Sequence, residues 1–476
     1  MSNDPIDSIT LRLGDLTTAK PTQTAPGAPP SGPAQAIATK PPQAQPKAPV
    51  KQDAQDVEDS SNLIENRHTV LVKLADQQAD PDSPLYSVKN FEDLGLSQEL
   101  LTGLYEMKFS KPSKIQERAL PLLLANPPKN MIGQSQSGTG KTAAFVLTML
   151  TRVDMNVKQP QAICLAPSRE LARQIMDVAQ QMSKYTNITK ALVVKDSIAK
   201  NQPVNAQIIV GTPGSVQDVI RKRLLPINNI KIFVLDEADN MLDQSGLGDQ
   251  SLRIKSMLKS NPQIVLFSAT FPENVTKFAS RFAPNANEIT LKREQLSVDA
   301  IKQFYMDCDS EEHKYEVLTN LYDMLTVSQS IIFCKRRDTA DEIARRMTEQ
   351  GHAVVSLHGK MTPEDRDRVM DDFRRGEFKV LITTNVLARG IDILQVTLVV
   401  NYDLPLDQQN EPDFEAYLHR IGRTGRFGRT GVSINFVHNE ETWSKMQEIE
   451  RHFERPIVRV ATDDWEAVEK QLKSYI

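Results

Sequence analysis

No run of about 20 apolar residues occurs in this sequence, so a membrane-spanning helix is not expected. Cysteine is scarce. The 3 cysteines among 476 residues, Cys164, Cys308 and Cys334, stand far apart and show no metal-type spacing. A sparse, odd set argues against a disulfide scaffold and fits a reducing compartment. Excess positive charge is missing as well: the formal net charge is −4, so contact with nucleic acid has to come from a local basic surface. Phe, Tyr and Trp are absent from residues 1 to 60, and the stretch from Lys20 to Val50 is rich in Pro, Ala, Gln, Thr and Lys. Such a segment buries too little apolar surface to offset its ordering entropy, so a disordered N-terminal extension is expected. Its polar start does not read as a secretory signal.

What is present, from about residue 90, is an alternation of short apolar runs with helical patterns. "QAICLAP", "AQIIVGTP", "IKIFVLDEAD" and "QIVLFSAT" each read as a buried strand entering a polar turn, and "ELARQIMDVAQQM" has helical periodicity. After "LKREQLSVDA" the pattern restarts with "SIIFCK", "HAVVSLHG", "FKVLITTN", "TLVVNYD" and "VSINFVH". The expected fold class is α/β: two domains, each a parallel sheet flanked by helices, with a cleft between them. The expected divisions are an extension over 1–60, a regulatory segment over 61–89, a first domain over 90–292, a linker over 293–299 and a second domain over 300–476.

Chemistry concentrates in three places. "SQSGTGKT", residues 135–142, lies between an apolar "NMI" and a helix-like run. Gly138 and Gly140 permit a backbone curl whose N–H groups face an anion, Lys141 can reach the β- and γ-phosphates, and Thr142 can ligate Mg²⁺. Ser135 stands where the strict pattern has Gly. The second place is Asp236-Glu237, at the end of the apolar run Ile232 to Leu235. A phosphate loop requires an acid at a neighbouring strand end to hold Mg²⁺, which suits Asp236, and Glu237 is placed to take a proton from an attacking water. Asp239 and Asp243 read as helix N-terminal charges or local partners. The third place is "HRIGRTGRFGR", residues 419–429, where Arg420, Arg423 and Arg426 recur every third residue. Such a cluster is often only a solvated or RNA-contacting loop. Opposite a phosphate loop it suggests arginine fingers, worth roughly 10³–10⁵ in rate in phosphoryl transfer.

Asp236-Glu237-Ala238-Asp239 spells the name of the DEAD-box RNA helicases, and the chain resembles that family over about residues 90–460. Phe109 and "KPSKIQ" resemble the adenine-reading Q motif. "APSRELA" (166–172), "TPG" (212–214), "SAT" (268–270), "TTNVLARGID" (383–392) and "HRIGRTGR" (419–426) follow in the family's order. The resemblance implies two RecA-like domains, ATP and Mg²⁺ as cofactors, and RNA as partner. It implies that Phe109 stacks on the base and Gln116 bonds its edge. Ser135, Gln136, Ser137, Gly138, Thr139, Gly140, Lys141 and Thr142 would cradle the phosphates, with Thr142 and Asp236 on the metal. Gly390 and Asp392 would lie at the nucleotide, with Asp392 on the ribose. Arg423 and Arg426 would act as fingers, and Ser268 and Thr270 would couple hydrolysis to domain movement. Arg169, Thr212, Gly214, Arg366 and Thr384 would contact RNA.

Four departures from the family pattern fall on its RNA side: Ser168 for a common Thr, Lys195-Asp196 for a Gly-Gly step, Ser215 for an Arg, and Pro363-Glu364-Asp365-Arg366, which keeps only the Arg. Two features narrow the branch, "LVKLADQQADPDSPLYSVKNFEDLGL" before the Q motif and "LPLDQQNEPDFEAYLHR" before the arginine block. Both resemble the branch that remodels messenger ribonucleoproteins during nuclear export. That implies location in cytoplasm and nucleus, at the cytoplasmic face of the pore. It also implies a nucleoporin partner and an export activator working with inositol hexakisphosphate. A monomer without membrane insertion is expected. The rival readings are a non-catalytic ATP-gated RNA clamp, a processive DNA helicase, and a DEAD-box helicase of another pathway such as translation.

Overall fold

The computed structural model describes residues 70–75, 87–135, 138–198, 202–243, 246–291, 301–325, 328–385, 396–425, 430–473 and 475. The extension over 1–60, the linker over 293–299, and Gln136, Ser137, Gly390, Asp392 and Arg426 lie outside the described residues.

The first sheet has eight strands: β1 (Val70–Lys73), β2 (Met131–Gln134), β3 (Ala162–Leu165), β4 (Lys190–Val193), β5 (Ile208–Gly211), β6 (Ile232–Leu235), β7 (Gln263–Ser268) and β8 (Asn287–Leu291). Their spatial order is β1-β8-β2-β7-β6-β3-β5-β4. Every pairing is parallel except β1 with β8, where Val70 stands opposite Leu291. Helices cover both faces, so β3, β5 and β6 are buried at every position. Their sequences are accordingly continuous apolar runs, not alternating ones. Gly133 in β2 serves this packing: a Cβ there would lie 2.3 Å from a ring carbon of Phe267. Phe267 in turn packs on Phe145 with centroids 5.9 Å apart. Burying one such ring contributes about 1.5–3 kcal/mol.

The second sheet has seven strands: β9 (Ile301–Asp307), β10 (Gln329–Phe333), β11 (Val354–Leu357), β12 (Val380–Thr383), β13 (Val396–Asn401), β14 (Gly431–Val437) and β15 (Val458–Val460). Their order is β11-β12-β10-β13-β14-β9-β15, all parallel. Two α/β domains with parallel sheets are therefore present, with the antiparallel edge strand β1 added to the first. No helix among the described residues is long and apolar enough to cross a membrane.

One sequence expectation needs correction. The strand carrying Asp236 is not adjacent to the one that enters the phosphate loop, because β7 lies between β2 and β6. The end of β7, at Ser268, therefore sits between the two and becomes part of the site.

Candidate active site

The phosphate loop leaves β2 and enters the helix Lys141–Arg152. Gly138 and Gly140 have φ of 82° and 98°, a conformation that favours glycine. A side chain at Gly140 would also strike Gln116 Nε2, at 2.5 Å from its Cβ. The loop is anchored at both ends. Ser135 N donates to Ser268 O at 3.0 Å, and Gln116 Nε2 donates to Gly140 O at 3.0 Å. Ser113 Oγ adds a bond to Thr139 O at 2.7 Å.

Gln116 thus has a structural role at the phosphate loop. Ser113 caps the helix Lys114–Leu124, and Gln116 closes the capping box by accepting from Ser113 N at 2.9 Å. A primary amide has two N–H groups and two lone pairs. One of each is used here, and one of each remains for a purine edge. Phe109 packs half-buried against the first-domain core.

The paired acids sit at the mouth of β6, both buried. Glu237 has φ 53°, strained for a non-glycine residue. Its Oε1 lies 3.4 Å from Lys141 Nζ, while Oε2 is buried without a hydrogen-bond partner. Burial pushes the Asp236 carboxyl up to about 7 against the pull of Lys141. Burial acts the same way on Glu237, but Lys141, His419 and Arg423 outweigh it and hold that carboxyl below its ordinary value. The two neighbouring acids are driven apart, so they are suited to different tasks. Asp236, a buried acid whose charge is undercompensated, fits a cation; Glu237 fits a base.

Asp239 proves to be a junction. Its Oδ2 accepts from Thr270 N at 3.0 Å and Thr270 Oγ1 at 2.9 Å, and lies 3.3 Å from His419 Nε2 of the second domain. Its own N–H donates to Ser268 Oγ at 3.0 Å. Ser268 thus holds the phosphate loop with its carbonyl and the DEAD helix with its hydroxyl. Glu237, Asp239 and His419 bring one polar atom each within 4.8 Å of one another. In sequence Asp239 reads as a local charge; its side-chain partners beyond its own turn, Thr270 and His419, come from two separate segments that only the fold brings together.

The arginine block divides by function. Arg420 turns inward, donating to Asn385 Oδ1, Asn401 Oδ1 and Asp403 O and stacking 4.9 Å over Phe333. It holds the second domain together. Arg423 is buried next to the acids, with Nε bonded to His419 O at 2.9 Å. Burial lowers its pKa to about 10, opposed by Glu237.

On the RNA-side positions, Arg169 and Arg366 are both held across the domain seam. Arg169 Nη2 meets Asp367 Oδ2 at 2.8 Å, and Nη1 meets Lys195 O at 2.6 Å. Arg366 Nη2 lies 2.5 Å from the buried Glu170 Oε1 as an ion pair without hydrogen-bond alignment. Arg173 joins Asp367 at 2.8 Å and Asp371 at 3.2 Å. Sequence reading missed Arg173, Asp367 and Asp371, because helix-surface charges carry no local signal of their partner. Thr212 occupies the N-cap position of the helix Pro213–Arg221 without a side-chain capping bond, its Oγ1 lying 3.2 Å from Ser215 Oγ, and a Cβ on Gly214 would meet Gln250 at 3.3 Å. Asp196 has φ 64°, the left-handed conformation that a glycine would hold freely at that step. Thr384 lines a cavity of about 410 Å³ with Lys335, Arg336, Arg337 and Lys360. The lining is mainly cationic, with Asp338 as its acid among the described residues.

A glycine-rich phosphate loop, a split pair of buried acids and a second α/β domain that supplies an arginine define a two-domain P-loop ATPase of the helicase type. Family profiles agree: residues 113–278 match the DEAD/DEAH box helicase family and residues 313–428 the helicase conserved C-terminal domain. The chain is 67% identical to the ATP-dependent RNA helicase dbp5 of Schizosaccharomyces pombe, over 87% of this chain and 83% of that protein. It is 60% identical to DBP5 of Candida albicans, over 88% of this chain and 77% of that one. Among solved structures, S. cerevisiae Dbp5 bound to RNA and ADP BeF3 superposes with a TM-score of 0.79 at 57% identity, covering 82% of this chain and 100% of that chain. S. cerevisiae Dbp5 bound to Nup159, Gle1, IP6 and ADP gives 0.60 at 55% identity, over 80% and 99%. The chain belongs to the DEAD-box helicases and, within them, to the Dbp5 group of ATP-dependent RNA helicases.

Proposed function

We propose that the chain couples ATP hydrolysis to local RNA unwinding and to the remodelling of messenger ribonucleoproteins leaving the nucleus, at the cytoplasmic face of the pore. The observation that carries the catalytic half is the junction of Lys141, Glu237, Asp239, His419 and Arg423, which is assembled only when both domains contribute. Lys141 Nζ lies 3.4 Å from Glu237 Oε1. A bound γ-phosphate would draw Lys141 away and leave the Glu237 carboxylate to orient a water and accept its proton. Arg423 would neutralise charge on the transferring phosphoryl group, and Arg426 would share that role. Thr142 and Asp236 would hold Mg²⁺, which when bound supplies charge neutralisation at the phosphate oxygens. Gln116 would read adenine with its remaining donor and acceptor, and Phe109 would stack on it.

RNA would cross both domains, past Thr212 and Gly214 in the first and the basic cavity around Thr384 in the second. Side chains and backbone N–H groups would hold its phosphates, and 2′-hydroxyl contacts would select RNA over DNA. The export role rests on the high identity to Dbp5 proteins, among which the S. cerevisiae protein has been seen with Nup159, Gle1 and IP6. The corresponding partners here would be a nucleoporin and an activator that uses inositol hexakisphosphate. Steady-state ATPase with and without RNA, together with a pull-down read for nucleoporins, tests both halves. RNA-stimulated turnover with nucleoporin capture is expected. Turnover that ignores RNA would overturn the first half, and capture of translation factors instead would overturn the second.

A further inference from the structure

The nucleotide site occupies the carboxyl ends of the first sheet. The opposite, amino edge of that sheet carries a groove of about 1210 Å³ that the ATP chemistry does not use. Its lining comes from segments flanking β1, β8, β2, β7, β6 and β3, which are six consecutive strands in the sheet. At about 4.8 Å per strand the groove is roughly 24 Å long, the span of about seven extended residues. It is a trough for a chain, not a cup for a single small ion.

The charge of the groove is one-sided. Among the described residues Lys129, Arg152 and Lys231 line it and no Asp or Glu does, although acids outnumber bases 61 to 57 in the whole chain. None of the three cations has a carboxylate partner among the described residues. Among the described residues the Arg152 guanidinium bonds only neutral oxygens, those of Asn126, Leu123 and Ala125. Burial lowers its pKa with no acid to oppose the shift. A half-buried guanidinium without a counter-charge is costly unless an anion arrives.

The polar groups of the groove ask for a donor as well as an acceptor. Arg152 Nε and Gln263 Oε1 are each buried without a partner, the first a donor and the second an acceptor. Gln263 is only 4% exposed, and its amide nitrogen is already committed to Leu123 O and Lys129 O. A peptide backbone offers both N–H and C=O, whereas a fully ionised phosphate offers acceptors alone.

We propose that this groove docks an extended acidic peptide of a partner protein, with Lys129, Arg152 and Lys231 facing its carboxylates. The site is separate from the ATP and RNA surfaces, so a partner seated there can remain bound throughout the ATP cycle. The test is fluorescence anisotropy on the full chain with a fluorescein-labelled peptide of about seven alternating Glu and Ser residues. Saturating RNA and ADP-BeF3 are present to fill the basic cleft between the domains. Saturable, salt-sensitive binding is expected, weakened at least about tenfold in the Lys129→Glu/Lys231→Glu variant. Both side chains are exposed and remote from the acids at the β6 end, so RNA-stimulated ATPase should be unchanged. As a second, gentler variant, Asn228→Asp places one opposing charge in the groove and should weaken binding without removing any cation. Unchanged peptide affinity in the double variant overturns the proposal. Equal binding of a peptide with Gln in place of Glu overturns it, and so does displacement of the peptide by tripolyphosphate or a second short RNA at equal concentration.

Discussion

His419 Nε2 of the second domain lies 3.3 Å from Asp239 Oδ2 of the first. The same oxygen takes both bonds from Thr270, so one carboxylate reports on domain closure and on the end of β7 together. Ser268, two residues before Thr270, anchors the phosphate loop. Movement of the second domain and the state of the loop are therefore linked through a short chain of direct bonds, which is a physical route for coupling hydrolysis to RNA release.

Glu237→Gln should keep ATP and RNA binding and lower turnover by about 10²–10⁴, the usual contribution of a positioned base. The amide can still hold a water but cannot accept its proton. The variant should trap a closed RNA complex, visible as slow RNA release in a filter assay. Near-normal steady-state ATPase would remove Glu237 from the role of base.

Gln116→Ala should reduce the preference for ATP over GTP. It also removes the bond to Gly140 O and half of a capping box, a helix-end loss of about 1 kcal/mol, so the KM for every nucleotide should rise. Base reading is the part that differs between nucleotides. If ATP and GTP hydrolysis fall by the same factor, Gln116 acts only on the loop.

Arg173 and Asp371 face each other across the seam at 3.2 Å. Arg173→Asp and Asp371→Arg should each raise the RNA concentration needed for half-maximal ATPase. The double reversal should recover part of the loss, with a coupling of about 0.5–1 kcal/mol for a half-exposed pair. Strictly additive effects would mean that the pair does not stabilise the closed form.

Cys164, Cys308 and Cys334 are all buried and free. Burial pushes the Cys308 thiol up to about 12, and raises the other two as well. The thiolate is the reactive form, so the native protein should react slowly with a disulfide reagent at pH 8, and all three thiols should appear on unfolding. Fast labelling of the native chain would show that one of the cores opens readily.

Most of the ATP side was legible in the sequence because its residues lie in short, local motifs. The phosphate loop, Asp236-Glu237 and Arg423 are each read from a few neighbours. Strands such as "AICL" and "IFVL" were legible because both sheet faces are covered, which leaves continuous apolar runs. β9 escaped because Lys302, Gln303 and Asp307 interrupt its pattern, and β1 and β15 escaped as short, partly exposed edge strands. The inward turn of Arg420 depends on partners in other segments of its own domain, at Phe333, Asn385, Asn401 and Asp403, while the junction at Asp239 and the ionic seam of Arg173 with Asp371 depend on the opposite domain. Charge on a helix surface looks the same in sequence whether it faces water or another domain.

The last prediction concerns the acidic stretch "DAQDVEDSSNLIENR", residues 53–67, which lies outside the described residues. It carries Asp53, Asp56, Glu58, Asp59 and Glu65 against Arg67 alone. By composition it reads as a solvated linker. Where it joins the fold raises a second reading. β1 runs antiparallel to β8, so Val70, opposite Leu291, stands at the carboxyl edge of the sheet, the edge that carries the phosphate loop and the paired acids. An acidic segment joined to the chain ahead of Val70 can compete with RNA for basic groups and oppose domain closure. Deleting residues 1–67 should raise ATPase without RNA while changing it much less at saturating RNA. Added salt should raise the basal rate of the full chain towards that of the truncated one, because exposed charges more than about 10 Å apart are largely screened at 0.1 M. Equal basal rates for the two proteins at low salt would leave the segment a linker.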